Sequence, residues 1–346
     1  MSKKQPQLRY CSHCVLPSTF PGIAFDENGV CNHCRHYKGD DARAALKKKY
    51  EAKFLKLLDE REENGAYDVI VAYSGGKDSS YTLDVFVKRY RLKVLALTLD
   101  NTFVSPRAFK NISNVCSSLG VDSLLVRPSR KMLRTIFKTA AVHELYAAKT
   151  LERASTICTS CISFVKGSVL RTAIEKQIPF VGFGWSPGQA PVQSSVMRTN
   201  PALMKNTQQA TMKPLYRIGG DQILPFFVTD KQFECKELFP WNIHPLAFLD
   251  YDENKIIERI GKLGWEPPDD TDPNSSNCTL NAYANQVHRQ RYGFHPYVWE
   301  IANMVRTGEL SREEGMEKLV PPENPGMVAF AKNELFAGSP LPAPQP

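Results

Sequence analysis

A short, mostly apolar run, Tyr67-Asp68-Val69-Ile70-Val71-Ala72-Tyr73, breaks off into Ser74-Gly75-Gly76-Lys77-Asp78-Ser79, and a helical pattern follows from Ser80 to Tyr90. A buried strand that ends in a glycine pair and opens into a helix builds a cradle for an anion. The glycines allow positive φ and close approach of the backbone. The first amides of the helix then point at the anion, helped by the helix dipole. Lys77 is expected to neutralise phosphate, and Asp78 to hold Mg2+ or to cap the helix. The ordinary P-loop spacing of Gly, four residues, Gly, Lys and Ser or Thr is not met. The plain alternative is a strand-to-helix turn that binds nothing.

The pattern around this loop alternates strand and helix. Strands are expected at 69–72, 93–99, 123–127 and 178–183, with helices at 80–90, 108–119, 130–152 and 164–176. That order predicts an α/β fold, a doubly wound parallel sheet with helices on both faces. Ligands on such sheets sit beyond the carboxyl ends of the strands. The loop, Asp100 and Gly184 all fall there, so Asp100 and Gly184 join residues 74–79 as expected ligand-site residues. Asp100 also reads as a simple turn former.

Five regions follow: a cysteine-rich module at 1–40, a linker helix at 41–66 and the sheet domain at 67–200. A helical C-terminal region at 201–320 completes the site, and a Pro- and Gly-rich flexible tail covers 321–346. Residues 185–213, rich in Pro, Gln, Ser and Met, read as a mobile loop over the site. Trp185 and Gln189 in it are expected either to line an acceptor pocket or to belong only to the loop.

The 346 residues suffice for a large core, and the net charge of +8 suits an anionic ligand such as ATP or RNA as well as mere solubility. No uninterrupted run of eighteen apolar residues occurs, and Met-Ser-Lys-Lys-Gln-Pro-Gln does not resemble a leader. A cytoplasmic protein without a membrane span is expected. In a reducing compartment the nine cysteines are not structural disulfides.

Cys11-x-x-Cys14, sixteen residues, then Cys31-x-x-Cys34 is the spacing of a zinc ribbon. Four thiolates from two knuckles give a closed tetrahedral site, and a module this small needs metal for stability. His13 and His33 are expected to face solvent, with replacement of a cysteine ligand as the alternative. Cys158-Thr159-Ser160-Cys161 is a pair of another kind, for no second Cys-x-x-Cys follows it. Cys278 and Cys235 are the available partners, with Cys278 preferred because it follows a polar turn. A structural zinc half-site and plain packing stand as alternatives for this pair.

The hexapeptide 74–79 resembles the pyrophosphate loop of the N-type ATP pyrophosphatases, over roughly residues 67–185. The resemblance implies ATP and Mg2+ as ligands, cleavage between the α and β phosphates, and adenylation of a carbonyl oxygen. The pair Cys158/Cys161 with Cys278 downstream resembles the ATP-dependent tRNA thiolases. There it implies a [4Fe-4S] cluster on three thiolates with one iron open, or persulfide chemistry on the thiols themselves. It also implies a nucleobase acceptor in tRNA or in a free nucleotide, and a sulfur donor such as a cysteine desulfurase. The N-terminal stretch Tyr10–Cys34 and the run Arg306–Glu314 resemble the N-acetyl sugar amidotransferases of surface-polysaccharide pathways, which use ammonia. The chain departs from the thiolases after the fourth strand. Gly182-Phe183-Gly184-Trp185-Ser186-Pro187-Gly188-Gln189 stands where they carry Gly-His-Asn-x-x-Asp, so an acid is missing. The middle Cys-x-x-Cys is in turn no part of the amidotransferase pattern. The expected function is ATP-dependent sulfur transfer, with nitrogen transfer and a non-catalytic zinc-ribbon RNA-binding protein as alternatives. The oligomeric state stays open, a homodimer included.

Overall fold

A computed structural model describes residues 8–61, 65–320 and 324–337. The charged residues 1–7 and the parts of the expected tail at 321–323 and 338–346 lie outside the described residues. Six strands form one sheet: β1 (Val69–Ala72), β2 (Val94–Leu99), β3 (Asp122–Val126), β4 (Phe180–Phe183), β5 (Val196–Arg198) and β6 (Trp241–Ile243). Their order is β3-β2-β1-β4-β6-β5. All neighbours are parallel except β5 against β6. Val69 lies opposite Val94 on one side and Phe180 on the other.

Both faces of the sheet are covered, as a parallel sheet requires. Val69, Val71, Val94 and Ala96 pack into the core that also holds Phe54, Phe86 and Trp265. Ile70, Leu95, Leu97 and Val181 pack the opposite way, onto Val169 and Ala173 of the helix Thr156–Glu175. That helix is apolar and long enough to cross a membrane by composition, but 61% of its apolar window is buried inside the fold. It is the central helix of one sheet face. From β1 the order runs through β2 to β3 on one side and through β4 to β6 on the other. The crevice between the carboxyl ends of β1 and β4 is therefore the topological switch point.

Several expectations are corrected. The sheet does not end by residue 200, because β6 inserts between β4 and β5. The expected mobile loop at 185–213 instead contains β5 and the start of the helix Pro201–Gly219, N-capped by the Asn200 side chain. The long helix at 130–152 divides into Arg130–Val142 and a single turn at Ala148–Leu151. The tail contains the helix Pro325–Phe336, which buries Ala331 and Leu335 against Phe103, Phe137 and Tyr283. Pro325 falls in its first turn, where proline fits.

The N-terminal module has little regular structure, only bridges at Tyr10–Pro17 and Phe25–Cys31. Its Val15, Leu16 and Phe20 pack on Val298, Ile301, Ala302 and Met304 of the helix Val298–Arg306. Each large apolar side chain so buried contributes about 1.5–3 kcal/mol. His33, expected in solvent, lies edge-on to Trp299 at 4.9 Å.

Candidate active site and metal centre

β1 delivers the chain into the switch-point crevice, and Gly75 turns it at φ +74. A Cβ there would lie 2.5 Å from the Ala108 carbonyl oxygen, so glycine is required on two counts. Gly76 caps the helix Lys77–Asp84. The loop is braced internally: the Gly76 amide donates to Ser74 Oγ at 3.3 Å, and Ser74 and Ser79 hydroxyls lie 3.1 Å apart. Gly184, just past β4, supports the loop from beneath. A Cβ on it would sit 2.5 Å from Ser79 Cα. Its role here is close packing under the loop.

Residues far downstream close the site. Trp265 Nε1 donates to the Gly75 carbonyl at 3.0 Å, and the Lys77 amide donates to Ser276 Oγ at 3.1 Å. Lys77 Nζ contacts Asp78 Oδ1 at 2.8 Å and Tyr251 Oη at 2.5 Å. Burial alone would lower the Lys77 pKa, but Asp78 and Glu253 outweigh it, and the ammonium is held above its ordinary value. Burial, with Asp78 and Glu253, likewise raises the Tyr251 phenol. A cavity of about 260 Å³ opens here, lined by Lys77, Asp78, Glu253, Asp272, Tyr297 and Glu300 among others.

Glu300 went unnoticed in the sequence. It is half-buried, accepts from Ser186 Oγ at 2.5 Å, and has its pKa raised to about 7, first by burial and next by Asp78. It thus brings a carboxyl to the region where the loop after β4 lacks one. The visible signal was a lone Glu in the apolar pattern Val298-Trp299-Glu300-Ile301-Ala302. Asp100 is not brought to the cavity. Its carboxylate accepts from the Thr102 amide at 2.8 Å and pairs with Arg127 at 2.5 Å, the turn-forming alternative. Trp185 stacks on His244 with ring centres 4.5 Å apart. Gln189 Oε1 accepts from the Ser186 amide.

The second cysteine set comes together. Cys158 and Cys161 occupy the first turns of the helix Thr156–Glu175, which Ser155 caps by accepting from the Cys158 amide. Cys278 is fixed by a bridge to Val104. Asn101 Nδ2 lies 3.4 Å from Cys161 Sγ and 3.6 Å from Cys278 Sγ, so those sulfurs are within about 7 Å of each other. Asn281 Nδ2 lies 3.8 Å from Cys158 Sγ and donates to Tyr297 Oη at 2.9 Å. Tyr297 lines the phosphate-loop cavity, and Cys278 lies two residues from Ser276. Cys158 and Cys278 therefore stand behind residues of the cavity wall, Cys161 joins them through Asn101, and none of the three lines the cavity itself. All three are half-buried. Burial pushes Cys158 and Cys161 up to about 12 and raises Cys278. As free thiols they would stay protonated and unreactive near neutrality. Cys235 is excluded from this group. It ends the short helix Asp230–Glu234, beside Phe233 and Phe239, which pack on the far end of the Thr156–Glu175 helix.

The N-terminal four are arranged differently. Cys11, Cys14, Cys31 and Cys34 bring their sulfurs within 4.8 Å of one another, with Cys11–Cys34 at 3.9 Å and Cys14–Cys31 at 3.7 Å. A tetrahedral ion with metal–sulfur bonds of about 2.3 Å sets its ligands about 3.8 Å apart. The donor set fits one such ion. Arg306 places Nε 3.4 Å from Cys34 Sγ and a terminal nitrogen 3.6 Å from Cys14 Sγ. Hydrogen bonding from Cys14 and the Arg306 guanidinium hold the Cys34 thiol down.

No protein family model matches the chain. An uncharacterized protein of Methanocaldococcus jannaschii is 25% identical over 317 residues, covering 91% of this chain and 94% of that protein. Among solved structures, the U34-tRNA thiolase NcsA of Methanococcus maripaludis with its [4Fe-4S] cluster aligns over 98% of this chain and 94% of its own. Its identity is 15% and the TM-score 0.38. The NH3-dependent NAD synthetase of Campylobacter jejuni aligns over 88% and 99%, at 11% identity and TM-score 0.36. At such scores neither likeness bears on the chemistry, which rests on the geometry above.

Proposed function

We propose that the chain is an ATP-dependent sulfurtransferase. It adenylates a carbonyl oxygen of a nucleobase, in tRNA or in a free nucleotide, and replaces that oxygen with sulfur. The carrying observation is the convergence of Cys158, Cys161 and Cys278 beside the phosphate-loop cavity. Nitrogen transfer gives no account of three thiols at that place.

In this reading the carbonyl oxygen attacks the α-phosphorus of ATP and pyrophosphate leaves. Sulfur then adds to the activated carbon and AMP departs with the oxygen. Lys77 and the amides of residues 75–79 hold the phosphates, and charge developing on them is met by groups already in place. Asp78, with Glu300 beside it, supplies carboxyl oxygens of the kind Mg2+ prefers. Among the described residues the N-terminal four alone form a set within 4.8 Å, and Asn101 stands between two sulfurs of the trio, so the trio would suit a cluster better than one ion. Cys158, Cys161 and Cys278 would hold a [4Fe-4S] cluster there, which would supply an iron site for sulfide; persulfide sulfur from a donor such as a cysteine desulfurase would reach that level by two-electron reduction with a thiol. Asn101 and Asn281 direct amide hydrogens at the sulfurs. The N-terminal four hold zinc in a structural role.

Lys77→Ala is the direct test. It is expected to cut pyrophosphate release at least about a hundredfold while circular dichroism stays unchanged. Unaltered release would sink the ATP reading. Anaerobic purification with iron and sulfide analysis tests the sulfur half. A chain free of iron and sulfide that turns over only with ammonia would be an amidotransferase.

A further inference from the structure

The helix Val298–Arg306 meets both cysteine regions and the phosphate loop. At its start, Tyr297 accepts from Asn281, the neighbour of Cys158. One turn on, Glu300 faces the cavity and accepts from Ser186. Asn303 Nδ2 donates to the Gly188 carbonyl at 3.0 Å, tying the helix to the segment after β4. That segment approaches closely: a Cβ on Gly188 would fall 2.2 Å from the Glu300 carbonyl oxygen. At the helix end, Arg306 reaches Cys34 Sγ and Cys14 Sγ and also donates to Asn303 Oδ1. Glu300 and Arg306 are six residues apart, about 9 Å along the axis.

Arg306 is 8% exposed. Four thiolates around a divalent ion carry net negative charge, and the buried guanidinium beside them keeps its charge partner only while that charge is present. Without the ion the four thiols lose the constraint that fixes them. Arg306 would then lose its sulfur partners, and with them the register of the helix that carries Glu300.

We propose that Arg306 is a positioning residue that couples the four-cysteine metal site to the nucleotide site. Metal loading fixes the guanidinium, the guanidinium fixes Asn303 and the helix, and the helix sets Glu300 against Lys77 and Asp78. The proposal rests on the ATP reading of the phosphate loop. It makes the metal more than a staple for residues 8–37, since its occupancy reaches ATP affinity through one side chain.

Calorimetry on the zinc-loaded full chain, with ATP in excess Mg2+, tests it. Arg306→Met is expected to bind ATP about 5–50-fold more weakly at saturating zinc, within the ordinary range of coupling between sites. Arg306→Lys, which keeps the charge and loses the fork, should recover only part of the affinity. Equal ATP affinity in wild type and Arg306→Met overturns the proposal. A reciprocal measurement needs no variant and covers a failure of Arg306→Met to fold. Zinc affinity of the wild-type chain, by competition with a chromogenic chelator, should rise when ATP·Mg2+ is added, by the same factor that zinc raises ATP affinity. A factor of one overturns the proposal. Absence of any ATP binding by the zinc-loaded wild type would instead defeat the phosphate-loop reading on which it stands.

Discussion

The two cysteine sets use one residue type for opposite ends. In the N-terminal set the sulfurs approach to 3.7 and 3.9 Å, and three of the four cysteines are fully buried. In the second set every cysteine is half-buried, and Asn101 stands between two of the sulfurs. The first is closed on itself, with Arg306 as its outer partner. The second stands behind Tyr297 and Ser276, which line the cavity that holds Lys77 and Asp78. Sulfur spacing and surroundings separate the two sets, although both contain a Cys-x-x-Cys.

The largest expected effect falls on the closed set. Cys31→Ser should remove one zinc equivalent and unfold residues 8–37, because structural zinc contributes on the order of 10 kcal/mol to modules of this kind. Zinc analysis and proteolysis check it, and a variant with full zinc would erase the distinction between the sets. Cys161→Ala should leave zinc and ATP affinity as they are yet reduce thiolated product about a thousandfold or more. Product formed at the wild-type rate would make the second set structural too.

Glu300 sharpens the comparison from the side of the cavity. Its carboxyl ionises near 4.5 in the unfolded chain and near 7 in the fold. Between those values the folded chain holds a proton that the unfolded chain has released, so stability falls as pH rises through that window. The loss is at most about 3 kcal/mol. The stability of wild type relative to Glu300→Gln, read from thermal midpoints, should therefore fall as pH rises from 5 to 8, while the buried His244, His288 and His295, whose pKa values burial lowers, shape both curves alike. Parallel curves for the two proteins would mean that Glu300 is not confined against Asp78 as described.

Strands β1, β2 and β4 were legible because each is a buried apolar run bounded by turn residues, the exposed edge strand β3 because Gly120 and Pro128 bound it, and the loop at 74–79 because its glycines follow β1. β5 and β6 were not. They have three residues each, and Val196-Met197-Arg198 carries no period that marks a strand. Their pairing comes from β4, which offers an edge only after the sheet exists. The cysteine trio was legible through spacing and chemistry, including the choice of Cys278 over Cys235. Glu300, Tyr251 and Trp265 were not, since each sits in an ordinary helix or turn pattern and becomes a site residue only by docking across the fold. Asp100 misled because a strand-end aspartate serves a turn as readily as a nucleotide.

Trp265 holds the Gly75 carbonyl across 190 residues of chain, and Ser276 holds the Lys77 amide across 199. The module at residues 8–37 rests on the helix Val298–Arg306, far downstream of it in the chain. A nascent chain that has emerged only as far as β4 thus possesses the phosphate loop without its closure, and its first metal knuckles without a platform. The loop and the module are both completed late, when residues 265–306 close on what was synthesised before them.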